Sequence, residues 1–233
     1  MDVAIGYRDK GYAALDGFVP VELCTRLFDQ FMGDLHAGAV KPALNTSNKL
    51  LNRNALELHG ANYAPMATFH WGLTAALQGL TGAALLPTHC YFRIYNRGDI
   101  CRPHNDREAC EHSLSLMLAS EGEAAWPLDI GVEPTPFAER RVGDFAQGEG
   151  HASLPMRPGD AVLYQGITRR HGRMTPNPNS WSAHLFLHLV ERDGAYSDEA
   201  FGQMGSTLKR RAARGTALAE NAADQPISST TSS

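Results

Sequence analysis

With 233 residues, 43% of them apolar and 20% charged, the chain is long enough to bury roughly 70% of its unfolded surface without covalent staples. A net charge of −4 and a pI near 6.2 supply no broad positive field, which argues against a polynucleotide partner. No stretch approaches the ~18 apolar residues of a membrane span, and the charged N-terminus lacks the apolar centre of a signal peptide, so a soluble, cytoplasmic protein is expected.

The elements follow in chain order. YAALDGFV, residues 12–19, is apolar and bounded by Gly11 and Pro20, which predicts a short strand. From Val21 onward Leu23, Leu27, Phe28, Phe31 and Leu35 recur at helical spacing, and Gly33 ends or bends that helix. Residues 37–66 are polar, rich in Asn and weakly periodic. They read as a long loop with a short helix over 47–58, and a loop of that length often serves function. A second helix is expected over 67–80, with Gly82 near its end.

Strand patterns dominate from residue 88. CYFRIY at 90–95 is aromatic and β-branched, and Asn96-Arg97-Gly98-Asp99 has turn chemistry. SLSLML (113–118), WPLDIGV (126–132), AVLYQG (161–166) and HLFLHLV (184–190) continue the series. A polar, Gly-rich hairpin region fills 133–150, and Arg157-Pro158-Gly159-Asp160 makes a tight turn. Residues 197–220 read as a C-terminal helix and 221–233 as a disordered tail. Helices first and many short strands afterwards predict an α+β chain, mostly β: a sandwich or open barrel flanked by N-terminal helices. Cys24, Cys90, Cys101 and Cys110 form no CxxC pair and are expected as buried, reduced thiols.

The sequence RPHND contains His104-x-Asp106. Two positions apart on a strand share a face, so an imidazole and a carboxylate reach one metal. His171, which follows AVLYQG at a short interval, is the natural third ligand. Together they would form a 2-His-1-carboxylate triad with open positions, the set suited to O2-activating Fe(II). An HxD alone is a weak signal; the aromatic strand and turn before it, and the PGD turn before His171, strengthen it.

The order YFRIYNRGDICRPHND, SLSLML, MRPGDAVLYQGITRRHGRMTP and WSAHLFLHLV resembles the double-stranded β-helix (jelly-roll, cupin-like) core of Fe(II)/2-oxoglutarate oxygenases, the prolyl-hydroxylase-like branch in particular. GYAALDGFVPVELCTRLFD resembles their N-terminal strand and helix, so the likeness covers roughly residues 10–194. It implies a single oxygenase domain over 1–196, with N-terminal strand and helices at 10–82 and the β-helix core at 88–194. It implies Fe(II), O2 and 2-oxoglutarate as cofactors. The implied activity is a dioxygenase, usually a hydroxylase, that couples decarboxylation of 2-oxoglutarate to oxidation of a substrate C–H bond.

The pattern departs at one place. The family carries an Arg or Lys about ten residues past the distal histidine, where a guanidinium fork grips the far carboxylate of 2-oxoglutarate. That position is Trp181 here, and no Lys or Arg occurs from Met174 to Glu191. Three replacements are open. Arg93, on the same strand face as Tyr91 and Tyr95, comes first and Arg173 second, while Ser182 and His184 offer hydrogen bonds. Each arginine has an ordinary structural reading beside this one.

Tyr95 is expected to touch cosubstrate or substrate, or else to pack as a strand tyrosine. Trp126 is a pocket wall or a core aromatic. Arg102 and Arg107 steer an anionic substrate or are solvated charges. Asn105 is expected to be structural, His188 a hydrogen-bonded core histidine, and His112 shows no partner pattern. The substrate is expected to be a small molecule or an amino-acid side chain. The alternatives are a cupin-like metalloenzyme that does not use 2-oxoglutarate and a hydroxylase of peptidyl proline.

Overall fold

The computed structural model describes residues 3–46 and 49–202. Helix α1 (Val3–Lys10) precedes strand β1 (Tyr12–Leu15), helix α2 (Val21–His36) and strands β2 (Ala43–Asn45) and β3 (Ala55–His59). After α3 (Ala64–Thr81) the chain is nearly all β. The strands are β4 (Leu85–Asn96), β5 (Cys101–His104), β6 (His112–Glu121), β7 (Leu128–Gly131), β8 (His151–Leu154), β9 (Ala161–Tyr164), β10 (His171–Arg173) and β11 (Trp181–Glu191). A seven-stranded antiparallel sheet runs β1-β9-β6-β11-β4-β3-β2, and a four-stranded one runs β5-β10-β7-β8. This is the mostly β, two-sheet architecture expected, with its helices at the N-terminal end.

Alternation along the long strands makes both cores. On β11, Ala183, Leu185, Leu187 and Leu189 join the large apolar cluster containing Phe31 of α2 and Met66 and Leu77 of α3. Ser182, His184, Phe186 and His188 occupy the alternate positions, which take the opposite face of the sheet. Tyr91, Arg93 and Tyr95 follow the same rule on β4, where Arg93 is the register partner of His184. The face toward the small sheet is therefore polar and aromatic.

α2 buries Cys24 and Phe31, with Leu27, Phe28 and Leu35 packed beside them, while Leu23 stands 45% exposed outside the stripe. The helix runs through Gly33 to His36 instead of ending there. α3 stops where expected, at Gly82 in the left-handed conformation (φ 76°). The PGD turn is tied to the N-terminal segment: Asp160 Oδ1 accepts from Gly17 N at 2.8 Å and Oδ2 from Arg157 N at 2.8 Å.

Several expectations are corrected. The short helix over 47–58 is absent among the described residues; the chain instead makes the β2–β3 hairpin. ALELH alternates with period two, and Leu56 and Leu58 pair with Ile94 and Phe92, so β3 closes the open edge of β4. α1, β8 and β10 were not predicted, and β5 was expected only as a strand carrying both His104 and Asp106. Residues 203–233, with nearly all of the expected C-terminal helix and the tail, lie outside the described residues; Ser197–Glu199 is one short 3-10 turn. All four cysteines are buried and free. Among the described residues no helix is long and apolar enough to cross a membrane.

Candidate metal centre

His104 ends β5 and His171 begins β10, and they are direct register partners in the small sheet. The strand stops at His104, so Asp106 does not share its strand face as the sequence suggested. It lies in the loop beyond, where its backbone N–H donates to Gly166 O at 2.9 Å. Asn105 donates from Nδ2 to Ile167 O at 3.1 Å, the structural role expected of it. Gly166 leaves the room that brings the carboxylate in: a Cβ there would lie 2.6 Å from Asp106 Oδ2.

The three side chains converge. His104 Nε2 is 3.5 Å from Asp106 Oδ1, and His171 Nε2 is 3.5 Å from Asp106 Oδ2. One donor atom from each lies within 4.8 Å of the other two. Each imidazole is oriented by its own chain: His104 Nδ1 donates to Arg102 O at 2.9 Å and His171 Nδ1 to Arg169 O at 2.9 Å. Those bonds fix the tautomer that presents an Nε2 lone pair, the outer-shell arrangement of metal-binding histidines. Ser113 Oγ donates to Asp106 Oδ2 at 3.3 Å.

The charge balance asks for a cation. Burial pushes His171 down to about 4, against the pull of Asp106. Burial also opposes charge on His104, but the carboxylate of Asp106 and the Cys101 thiol outweigh it and lift His104 to about 10. Asp106 is held below the usual carboxylate range, its burial overcome by His171 and His104. One proton thus sits among three ligand atoms, where a divalent ion would replace it. Two imidazoles and one carboxylate fit iron in particular.

These ligands border a narrow cleft, part of it open to solvent. Tyr91, Tyr164, Phe186 and His188 wall it, and the Tyr164 ring centroid lies 4.4 Å from that of His171. His188, expected as a core histidine, is hydrogen-bonded at Nδ1 to Ser113 Oγ (2.9 Å) and also faces the cleft. Sequence reasoning missed Tyr164 as a wall, although it ends the strand that leads to His171.

Both candidate arginines reach the cleft, in different states. Arg93 is neutralised: its Nε and Nη2 donate to Glu57 Oε1 at 2.7 and 2.5 Å, and Nη1 donates to Tyr95 Oη at 2.7 Å. Arg173 is 1% exposed and has no carboxylate partner among the described residues. Its Nη1 donates to Trp126 O and Pro127 O at 3.0 Å, and its Nη2 lies 3.1 Å from His184 Nδ1. Its Nε has no hydrogen-bond partner. Neutral acceptors satisfy most of its protons but not its charge.

The remaining predicted residues lie outside the cleft. Ser182 Oγ donates to Asn177 Oδ1 at 3.1 Å in a buried amide network, so its hydroxyl is already used. His184 is buried between Arg173, Trp126 and Tyr95. Trp126 is fully buried, donates to Thr175 O at 2.8 Å and underlies the Arg173 guanidinium at 4.6 Å. The Arg102 side chain turns to the carbonyls of Lys49 and Leu51.

No family model matches the chain, and no curated protein is similar to it in sequence. Solved structures are similar in fold. A prolyl-4-hydroxylase from Pseudomonas putida superposes with a TM-score of 0.55 at 16% identity, covering 82% of this chain and 97% of that one. A 2OG-Fe(II) oxygenase family oxidoreductase from Burkholderia pseudomallei gives 0.59 at 13% identity, over 83% and 91%. The non-haem α-ketoglutarate-dependent carbocyclase SnoK from nogalamycin biosynthesis gives 0.64 at 14% identity, over 89% of each chain. The chain therefore has the double-stranded β-helix fold of the 2-oxoglutarate/Fe(II) oxygenases.

Proposed function

We propose that this protein is an Fe(II)- and 2-oxoglutarate-dependent dioxygenase that hydroxylates a small molecule or an amino-acid side chain. The observation that carries the reading is the convergence of His104 Nε2, Asp106 and His171 Nε2 beside a cleft, with both Nδ1 atoms bonded to backbone carbonyls. Iron held there would supply the O2 chemistry that couples decarboxylation of 2-oxoglutarate to C–H oxidation.

The chain's own residues do the rest. Asp106 contributes the negative charge that offsets the metal, and Ser113 fixes one of its oxygens. Arg173 anchors the far carboxylate of 2-oxoglutarate, in place of a basic residue at Trp181. Of the two arginines that line the cleft it is the one with no carboxylate in ion-pair contact among the described residues, and an incoming carboxylate relieves the cost of burying that charge. His184 and Trp126 hold the guanidinium in place, which gives those two residues positioning roles. Arg93, paired with Glu57, positions Tyr95. The rings of Tyr91, Tyr164 and Phe186 exclude water and suit a substrate that offers a C–H-rich portion. The fold does not choose the outcome, since a hydroxylase and a carbocyclase share it.

Anaerobic addition of Fe(II) and then 2-oxoglutarate tests the reading. The expected result is a weak visible metal-to-ligand charge-transfer band that needs both and is lost in His104→Ala. Iron binding with no band would replace it with a metalloenzyme that does not use 2-oxoglutarate.

A further inference from the structure

Donor side chains that the iron site does not use gather in two places. One is His89, Cys110 and His188, whose ligand atoms lie within 4.8 Å of one another. There the rings of His89 and His188 stack at 4.4 Å, and the Arg107 guanidinium lies 3.4 and 3.5 Å from the two His89 ring nitrogens. Stacked rings hold their in-plane lone pairs in separate, nearly parallel planes that do not converge on one ion, and a metal would meet a positive charge. The other place is Glu111, His112 and Glu191, where the start of β6 meets the end of β11.

We propose that Glu111, His112 and Glu191 form a second metal site, for a zinc-like divalent cation, that ties the ends of β6 and β11 to the N-terminal helix. One ligand atom from each residue lies within 4.8 Å of the others. His112 is 5% exposed, and its Nε2 is buried without a hydrogen-bond partner although Glu191 Oε1 is only 3.4 Å away. Glu191 Oε1 stands near that nitrogen but off the line an N–H···O bond needs, and Glu111 completes the set, the spacing of ligands around an ion. The other ring nitrogen is engaged: Tyr7 Oη lies 2.6 Å from His112 Nδ1. With Nδ1–H donating to the phenol oxygen, Nε2 is left as the ligand, and Tyr7 of α1 becomes the outer partner that orients it.

The electrostatics point the same way. Glu111 and Glu191 bring two carboxylates to one imidazole, and among the described residues neither has a Lys or Arg in ion-pair contact. Glu111 Oε2 is already fixed by accepting from Glu191 N at 2.8 Å. A nitrogen donor with carboxylates selects zinc or manganese over calcium or magnesium, and three protein ligands at a half-exposed edge leave room for water.

The test is a zinc count by equilibrium dialysis of the full-length protein against buffered free zinc, which does not depend on 2-oxoglutarate activity. Wild type should hold about two zinc ions per chain, one of them at the His104–Asp106–His171 set. Glu111→Gln/Glu191→Gln should lose one, by weakening that site ~100-fold or more, and keep the iron and 2-oxoglutarate band. His104→Ala/His171→Ala should lose the other. In that background zinc should still raise the melting temperature, and adding Glu191→Gln should abolish the rise. A double Gln variant with the wild-type zinc count would overturn the proposal, as would a wild-type count that vanishes in His104→Ala/His171→Ala. If the double variant does not fold, Glu191→Gln alone, at a half-exposed carboxylate, makes the same comparison.

Discussion

His104 and His171 face each other as register partners across β5 and β10, so backbone pairing, and not a loop, sets the spacing of the two imidazoles. Asp106 reaches the same point from a loop, bonded through its own N–H to Gly166. The three residues therefore tolerate different kinds of change.

Replacing any of the three side chains by Ala should abolish turnover and nearly all iron binding. A change in the outer shell costs only about 10–100-fold in metal affinity, so losses of that size would demote the residue. Iron retention by dialysis and the charge-transfer band report this directly. His171→Ala that still holds iron would show the triad to be wrong.

Gly166→Ala should behave almost as a ligand mutant, though it adds only a methyl. The new Cβ would stand 2.6 Å from Asp106 Oδ2, 2.6 Å from Cys110 O and 2.7 Å from Ser113 Oγ, closer than any carbon packs. Backbone cannot yield cheaply there, so the carboxylate must move off the imidazoles. Iron affinity should fall at least ~10-fold, with a melting temperature lowered by a core overpacking cost of about 1–3 kcal/mol. Unchanged iron affinity would mean that the loop carrying Asp106 is free to shift.

What the sequence revealed follows from the range of each interaction. The long strands around 90–95, 113–118 and 184–190 were legible because period-two alternation is local, and so were α2 and α3. His104 and His171 were legible through their spacing and the turns before them. β5 and β10 are only four and three residues long, too short to show a pattern, and exist because they pair with each other. β3 was misread because its five residues become a strand only against β4. The difference between Arg93 and Arg173 was invisible because Glu57, which neutralises one of them, lies in a segment read as loop and helix.

That difference gives a paired prediction. Arg173→Ala should raise the KM for 2-oxoglutarate by ~10–100-fold, the worth of a charge-assisted pair of about 1.5–3 kcal/mol. Arg93→Ala should leave that KM nearly unchanged and destabilise the fold, because buried Glu57 loses its guanidinium and keeps only Asn45 and His59 beside it, a cost of up to about 3–5 kcal/mol. Steady-state kinetics in 2-oxoglutarate, set beside thermal melts, separate the two. The reverse pattern would return the anchor to Arg93.

The protein should also lose stability in mild acid, through histidines outside the His104–Asp106–His171 set. His70, on the inner side of α3, is lowered from 6.5 to about 3 by burial, and its Nε2 has no hydrogen-bond partner. His89 is lowered from 6.5 to about 4, by burial first and then by Arg107. In the unfolded chain both titrate near 6.5, so between 6.5 and about 4 the unfolded state binds protons that the folded state refuses. Their stabilising effect is complete above that range and is lost as the pH falls, with a slope approaching about 1.4 kcal/mol per pH unit for each histidine. Melting temperatures from pH 7.5 to pH 5 should decline steadily, and His70→Gln should make the decline shallower by the share of one proton. A flat profile for wild type, or one that His70→Gln leaves equally steep, would show that these imidazoles accept protons in place.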